Sequence, residues 1–176
     1  MTALKGNKHI VVGSLLFLAL VSFVFALPFI PQSTSKLIKP SFLESIETQH
    51  ALVFFGFQGC SDACPTALAK LSHLKNTQGS TDAQLVFVDI DTNSSQQRAE
   101  AFAKTFHHSF IAYHLDNETQ SGIDNLFGLK HDQTGAQITH QGKTYLLTKK
   151  NQEWLVSKVY NPKSFSINDI RRELNK

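Results

Sequence analysis

Two cysteines four positions apart are the residues of this chain best suited to chemistry. Cys60 and Cys64 are its only cysteines, and Pro65 directly follows the second. Because proline is common in the first turn of a helix, we expect both thiols on one side of a loop that leads into a helix. Unpaired N–H groups and a partial positive charge at a helix N-terminus favour thiolate over thiol. Two sulfurs placed in this way can close a reversible disulfide or hold a soft metal such as Cu(I).

The cysteine count and the charge exclude several classes of protein. Two cysteines cannot build a scaffold of several disulfides or a structural zinc site of four cysteines. One structural disulfide remains an alternative to a reactive pair, although a bridge that closes so short a loop removes little entropy from the unfolded chain. The formal net charge of the 176 residues is +3, and Lys5 and Lys8 supply two of these charges. The remainder is too close to neutral for the broad basic face of a nucleic-acid-binding protein.

The segments around the cysteines alternate between strand and helix patterns. Continuous apolar runs predict strands that are covered on both faces, and apolar residues at helical spacing predict the helices between them. We predict strands at 51–57, 85–89 and 110–115, helices at 65–76, 95–106, 121–129 and 167–174, and a hairpin of residues 144–147 with 154–159. Ser166, with Asp169 three residues later, is expected to cap the last helix. This order predicts an α/β protein with a thioredoxin-like fold, in which helices flank a mixed central sheet and the cysteines follow the first strand.

The N-terminal segment differs in composition from the rest of the chain. No Asp, Glu, Lys or Arg occurs between His9 and Ser35, and residues 10–27 form an almost wholly apolar run. A bilayer core about 30 Å thick needs roughly 20 such residues in a helix. We therefore interpret residues 9–30 as a transmembrane helix, residues 1–8 as a cytoplasmic tail, residues 31–45 as a linker and residues 46–176 as the exported domain. A cleaved signal peptide is the alternative, although its apolar core is usually shorter, about 7–15 residues.

The sequence around the cysteines resembles the copper-binding motif of the Sco/SenC family. Residues 55–65 read Phe-Gly-Phe-Gln-Gly-Cys-Ser-Asp-Ala-Cys-Pro, and the family places three residues between its cysteines where thioredoxins place two. Residues 88–89 are similar to the start of the family's Val-Asp-Pro motif. The family's copper-binding histidine is followed five residues later by a Tyr-Leu pair, and residues 145–146 stand at that spacing after His140. The resemblance covers residues 52–174.

This resemblance implies a copper metallochaperone rather than an enzyme. Cys60, Cys64 and His140 would bind Cu(I) or Cu(II), with His131 as the alternative third ligand. The protein would deliver copper to the binuclear copper centre of cytochrome c oxidase, and its partner would be the copper-bearing subunit of the oxidase or another copper chaperone. It would be a monomer with a single span in the bacterial inner membrane and its soluble domain in the periplasm.

Other functions of the same residues stay open. A thiol-disulfide oxidoreductase would use Cys60 and Cys64 to reduce the cysteines of the oxidase copper site, and it would not need His140. A redox or copper sensor would signal to another membrane protein through the same pair. Asp62 is expected to orient the loop or a cysteine N–H, and Asp89 to support a metal ligand or to cap the turn after its strand. A second metal site could also form from three further histidines, His107, His108 and His114.

Overall fold

The computed structural model describes residues 6–26, 36–38, 40–77, 82–134, 137–162 and 165–175. The chain separates into two compact units, one up to Ser33 and one from Thr34 onwards. The first unit contains helix α1 (Gly6–Ala26). In the described part of the chain, no helix has both the length and the apolar character needed to cross a membrane. The predicted tail, transmembrane helix and linker include residues 1–5 and 27–35, which lie outside the described residues.

The second unit is built on a mixed sheet. Its strands are β1 (Lys36–Ile38), β2 (His50–Gly56), β3 (Ala83–Asp89), β4 (Phe110–His114), β5 (His131–Thr134), β6 (Gln137–His140), β7 (Thr144–Lys150) and β8 (Glu153–Tyr160). The larger sheet has the order β1-β8-β7-β2-β3-β4, and β5 and β6 form a separate two-stranded sheet. Strands β2, β3 and β4 are parallel, whereas β7, β8 and β1 extend the sheet in antiparallel pairs. Almost all residues of β2 and β3 are buried, which explains their continuous apolar sequences.

Helices cover both faces of the larger sheet. Helices α2 (Ala63–Thr77), α3 (Gln96–Phe106) and α5 (Ile167–Leu174) share a hydrophobic core with one face. Helix α4 (Asn117–Phe127) and a 3-10 turn (Ser41–Leu43) pack on the other face. Because side chains alternate along a strand, Phe54 enters the first core and Phe55 the second. The predicted architecture, a mixed central sheet flanked by helices, is confirmed.

The predicted helices and strands are present, and their ends differ by a few residues. The largest shift concerns α4, which begins four residues before the predicted start at 121. Asp116 is its N-cap and accepts a hydrogen bond of 2.9 Å from the N–H of Thr119. Gly128 ends the helix with a left-handed backbone (φ 62°), a conformation that glycine adopts without strain.

Two features of the second unit have no counterpart in the prediction. Strand β1 pairs with β8, and Phe42 and Leu43 are buried, so part of the segment interpreted as linker, residues 31–45, is folded. A three-residue strand is too short to produce a periodic pattern. The β5–β6 hairpin was not predicted because its polar strands alternate between half-buried and exposed residues and contain no apolar run.

Ser166 is the N-cap residue of α5, as predicted, but the predicted capping hydrogen bonds are wrong. The side chain of Ser166 makes no capping hydrogen bond. The carboxylate of Asp169 contacts Arg172, which lies three residues further along the helix. The carboxylate that would complete the capping box is therefore engaged by an arginine on the helix surface.

Candidate metal centre

The two cysteines lie where β2 gives way to α2. Cys60 stands in the connecting loop and is partly buried, whereas Cys64 is the second residue of α2 and is fully buried. Gly56, the last residue of β2, makes this approach feasible. A Cβ at this position would lie 2.7 Å from Cys64 Sγ and 2.7 Å from a ring carbon of Phe54. The thiol therefore occupies space that a side chain at residue 56 would fill.

His140 completes the cluster from the other sheet. It is the last residue of β6, and its Nε2 lies 3.3 Å from Cys60 Sγ and 3.5 Å from Cys64 Sγ. The two sulfurs and one ring nitrogen lie within 4.8 Å of one another, and both cysteines are free thiols. The structure thus brings together all three residues that the sequence singled out as metal ligands.

The backbone N–H groups of the two cysteines are both used within the loop. The N–H of Cys60 donates to Phe57 O at 3.2 Å, and that of Cys64 donates to Cys60 Sγ at 3.3 Å. The second bond is a helix N-terminal N–H aimed at a sulfur, as expected from the motif. Asp62 is exposed, and it orients neither cysteine N–H because both have these other acceptors.

The expectation that the helix N-terminus favours thiolate is wrong for Cys64. Burial raises the pKa of the Cys64 thiol, and its hydrogen bond with Cys60 raises that pKa further. A backbone hydrogen bond at Phe57 opposes this shift but does not cancel it. Desolvation of the charged form outweighs the helix terminus because the sulfur is enclosed by protein. Cys64 is therefore a protonated thiol at neutral pH in the metal-free protein.

His140 is held as a neutral imidazole. Burial lowers its pKa, and the nearby charge of His131 lowers it further. The N–H of Gly142 donates to His140 Nδ1 at 3.0 Å. Since Nδ1 accepts a hydrogen bond, the ring proton resides on Nε2, between the two sulfurs. The rings of Phe54 and Phe57 pack edge-on against the imidazole at centroid distances of 6.4 and 5.4 Å.

Gly142 fits this role because of its backbone conformation. Its φ is 58°, in the left-handed region, and a Cβ there would lie 2.7 Å from Ala63 Cβ. Residue 142 thus lies between the ring of His140 and the first residue of α2. The sequence offered a signal for this residue, a glycine two positions after the candidate ligand, but the prediction did not use it.

His131, the alternative third ligand, does not belong to the group of donors around the sulfurs. Its Nε2 lies 2.7 Å from the side-chain amide nitrogen of Gln120, which donates to it. Its Nδ1 lies 3.3 Å from Asp124 Oδ1, a polar contact without the alignment of a hydrogen bond. Both ring nitrogens of His131 therefore have partners on α4, and the structure favours His140 as the third donor.

The remaining candidates have structural roles. Asp89 is buried, and its carboxylate accepts a hydrogen bond of 3.1 Å from the N–H of Asp91, so it caps the turn after β3. Burial raises the pKa of Asp89. The rings of His107 and His108 stack at 4.3 Å, and both nitrogens of His107 contact Asn76 or Ser109. Across the described residues, the cluster of Cys60, Cys64 and His140 is the one group suited to a metal. The second site considered for His107, His108 and His114 is not formed there.

The donor set decides which chemistry the site suits. Two sulfurs and one imidazole nitrogen are soft or intermediate ligands, which favour Cu(I) and Zn over the hard cations Mg²⁺ and Ca²⁺. With only three protein donors, the arrangement fits a low-coordinate Cu(I) ion better than a closed tetrahedral zinc site. The two sulfurs are also close enough for a disulfide to form after small movements.

Comparison with known proteins gives one consistent family. The SCO1/SenC family model matches residues 40–175. A SCO2-like protein of Rickettsia prowazekii is 26% identical over 112 residues, and the match covers 58% of this chain and 55% of the relative. A SCO2-like protein of Rickettsia typhi gives the same values. The chain therefore spans about half the length of these curated relatives.

Solved structures of similar fold carry related names. The apo Sco1 protein from Thermus thermophilus has a TM-score of 0.64 and 21% identity, with 82% of this chain and 91% of that chain covered. Arabidopsis thaliana ScoI with copper bound has a TM-score of 0.61 and 22% identity, with 73% and 83% covered. Yeast Sco1 with copper bound has a TM-score of 0.58 and 20% identity, with 73% and 77% covered. At these identities the likeness establishes the thioredoxin-like fold that such proteins share.

Proposed function

Because this chain belongs to the SCO1/SenC family, we propose that it is a copper metallochaperone that binds copper through Cys60, Cys64 and His140. The observation that carries this proposal is the convergence of two free thiols and one imidazole nitrogen within 4.8 Å. Two of the structural relatives, from Arabidopsis thaliana and yeast, are described with copper bound. The proposed recipient, the binuclear copper centre of cytochrome c oxidase, rests on the family resemblance of the cysteine motif.

Copper loading would exchange protons for the metal. Each thiol must lose its proton before its sulfur can ligate, and the Nε2 proton of His140 must leave the space between the sulfurs. If that proton moves to Nδ1, the N–H of Gly142 must turn away, because two donors would otherwise face each other. Affinity should therefore increase with pH, as protons compete less with the metal.

Release to a partner would proceed by ligand exchange at an accessible edge of the site. A cavity of about 720 Å³ borders His140 and is lined by Asp62, Ala63, Thr66, Gln141, Asn161 and Pro162. An incoming ligand in this cavity can approach the metal beside the imidazole. Because the protein supplies three donors, a fourth can bind before any of the three leaves. The low coordination number of the metal and the access to it through this cavity thus support release by ligand exchange.

We also propose that the N-terminal segment holds the folded domain outside the cytoplasm at the inner membrane. The support comes from the uncharged run after Lys5 and Lys8. In α1, large apolar side chains are more than half exposed, with values of 55–67% at Val11, Val12, Leu15, Leu16, Phe17, Leu18 and Leu20. Exposed apolar side chains of this kind are expected to be covered by a membrane or by another apolar surface.

Titration of the reduced chain with Cu(I) under anaerobic conditions tests the metal assignment. We expect one equivalent of copper to remain after desalting. Cys60→Ser and Cys64→Ser should each abolish stable binding, and His140→Ala should weaken it without abolishing it, since two thiolates can hold Cu(I) linearly. His107→Ala is the control, because this residue lies in the separate histidine pair. Retention of copper by the cysteine variants would contradict the proposal.

A thiol-disulfide oxidoreductase is the second candidate, since the two free thiols lie within 4.8 Å of each other. It predicts a different response to the same variants. Exchange with a model disulfide would survive His140→Ala, and no variant would retain copper. If the wild-type chain turns over disulfides efficiently and loses its copper on desalting, the oxidoreductase replaces the metallochaperone as the proposed function.

A further inference from the structure

The hairpin that carries His140 is separate from the larger sheet of the second unit. Strands β5 and β6 pair with each other, and in the described part of the chain no backbone hydrogen bond joins them to the larger sheet. The strands are four residues long each, and an isolated hairpin of this size is marginally stable in water. Besides the short link to β7 and the hydrogen bond from the N–H of Gly142, the position of His140 relative to the cysteines therefore depends on side-chain contacts of the hairpin.

Gln133 provides the first of these contacts. Its Oε1 accepts hydrogen bonds from the N–H of Thr92 at 3.4 Å and from the hydroxyl of Thr92 at 3.1 Å. Its Nε2 donates to Asp91 Oδ1 at 3.0 Å. Both ends of one side-chain amide thus bind the loop after β3, whose buried strand is a fixed part of the main sheet.

His131 provides the second contact. Its Nε2 accepts from Gln120, a buried residue of α4 that also donates to Ile90 O at 3.1 Å. Its Nδ1 faces Asp124 Oδ1 at 3.3 Å. In the hairpin register His131 lies directly opposite His140. Across an antiparallel pair such residues lie about 4.5–5.5 Å apart, so a shift of His131 is passed to His140.

We propose that Gln133 and His131 are positioning residues of the copper site, which fix the hairpin so that His140 Nε2 lies within reach of both sulfurs. Together they form two polar clamps, one to the loop after β3 and one to α4. Neither touches the metal position. This inference rests on the proposed function where it concerns copper affinity, but the position of His140 in the metal-free protein is independent of that function.

Two measurements on the reduced full-length chain test the proposal. In the metal-free protein, ¹⁵N signals of the His140 ring and the amide signal of Gly142 report the hydrogen bond to Nδ1. We expect Gln133→Ala and His131→Ala to shift both signals toward those of a free histidine and a free amide. Cu(I) affinity should fall by about tenfold or more, as is typical when a residue that orients a metal ligand is lost. Gln137→Ala, an exposed residue of β6, is the matched control and should change neither.

A pair of charge-changing substitutions distinguishes a positioning role of Gln133 from a general effect on the stability of the fold. Gln133→Glu keeps the acceptor for Thr92 but places a carboxylate against Asp91, so it should behave like Gln133→Ala. Adding Asp91→Asn removes the repulsion between the two carboxylates and allows an amide N–H to face the new carboxylate. This orientation gives up the hydrogen bond from the N–H of Asn93, because Oδ1 of Asp91 is the acceptor in both contacts. The double variant should recover the ring signals and most of the affinity. A loss of folding in one single variant leaves this rescue and the His131 variant to decide.

The outcomes distinguish this proposal from the proposed function. If Gln133→Ala and His131→Ala leave the His140 and Gly142 signals as in the wild type, the positioning role is wrong, whatever the copper affinity. If the wild-type chain binds no copper but the signals shift as expected, the metallochaperone function is wrong while the positioning role holds. If the double variant fails to recover signals that Gln133→Glu has lost, the contact to Asp91 is not what fixes the hairpin.

Discussion

A single methyl group at residue 56 would compete with a thiol for the same space. In Gly56→Ala the new Cβ would lie 2.7 Å from Cys64 Sγ, at the end of a buried strand that cannot move freely. We expect a loss of about 1–3 kcal/mol in the free energy of unfolding and a clear loss of copper affinity. Gly122→Ala is the control, since a Cβ at residue 122 meets nothing within 4 Å. Chemical denaturation and Cu(I) titration of both variants measure the difference.

The lowered pKa of His140 makes the stability of the metal-free protein depend on pH. Burial depresses the pKa in the folded state, and the unfolded chain titrates near 6.5. The unfolded state therefore binds more protons just below pH 6.5, and stability from this residue is complete above that pH and declines as the pH falls through it. Wild type should lose more unfolding free energy between pH 7.5 and 5 than His140→Gln does. Equal losses in urea titrations at both pH values would show that His140 is not buried as described.

The reactivity of the cysteines could be foreseen only in part at the level of residues. The motif and the position of Pro65 predicted two thiols at a helix entrance, and the spacing of residues 145–146 pointed to His140. The raised pKa of Cys64 could not be read from the motif, because it depends on how completely neighbouring segments enclose the sulfur. Burial is a property of the packed fold, and local sequence gives it only where a periodic pattern exists.

Among the elements, the exposed edge of the sheet is protected by one side chain. Strand β4 ends the strand order, and Gln96 of α3 lies along its outer edge. The side-chain amide of Gln96 donates to Ala112 O at 2.7 Å and accepts from the N–H of His114 at 2.9 Å. The amide thus occupies backbone groups that would otherwise be free to pair with a strand of another molecule.

Removal of this amide should therefore promote self-association. We expect Gln96→Ala to lower the free energy of unfolding by about 1–2 kcal/mol, since the two hydrogen bonds to β4 and one to Glu100 are lost. It should also increase aggregation during partial unfolding. The exposed neighbour in Gln97→Ala should have little effect on either quantity. Light scattering during thermal unfolding measures the aggregation, and chemical denaturation measures the free energy of unfolding. Identical scattering curves for the two variants would contradict the role of Gln96.

The elements differ in how well the sequence predicts them, and the difference has a physical cause. Strands β2 and β3 are buried on both faces, so their apolar runs are unmistakable. The hairpin that carries the third ligand is held by polar clamps at Gln133 and His131, and polar contacts leave no periodic signal. The position of the two cysteines after β2 can thus be predicted from the strand pattern. The position of His140 was indicated only by the spacing of the family's motif.

At the scale of the whole molecule, the N-terminal segment is expected to determine location. If residues 10–27 anchor the chain, the mature protein should sediment with membranes, keep Lys5 and Lys8, and expose its C-terminal end outside the cytoplasm. Cell fractionation, N-terminal sequencing of the mature protein and protease treatment of spheroplasts test these three points. A soluble product that begins near residue 27 would replace the anchor by a cleaved signal, and a protected cytoplasmic product would overturn export altogether.

The unequal burial of the two cysteines would give an exchange with a partner's disulfide a fixed order. Cys60 is partly accessible, whereas Cys64 is enclosed beneath Gly56 and has a raised pKa. If a partner presents a disulfide, the accessible Cys60 would attack it first, and the partner's other sulfur would leave as a thiol. Cys64 would then attack the Cys60 sulfur, which releases the partner's remaining thiol and leaves a disulfide between Cys60 and Cys64. In such an exchange the two thiols have different roles. Cys60 would be the attacking thiol and Cys64 the resolving thiol.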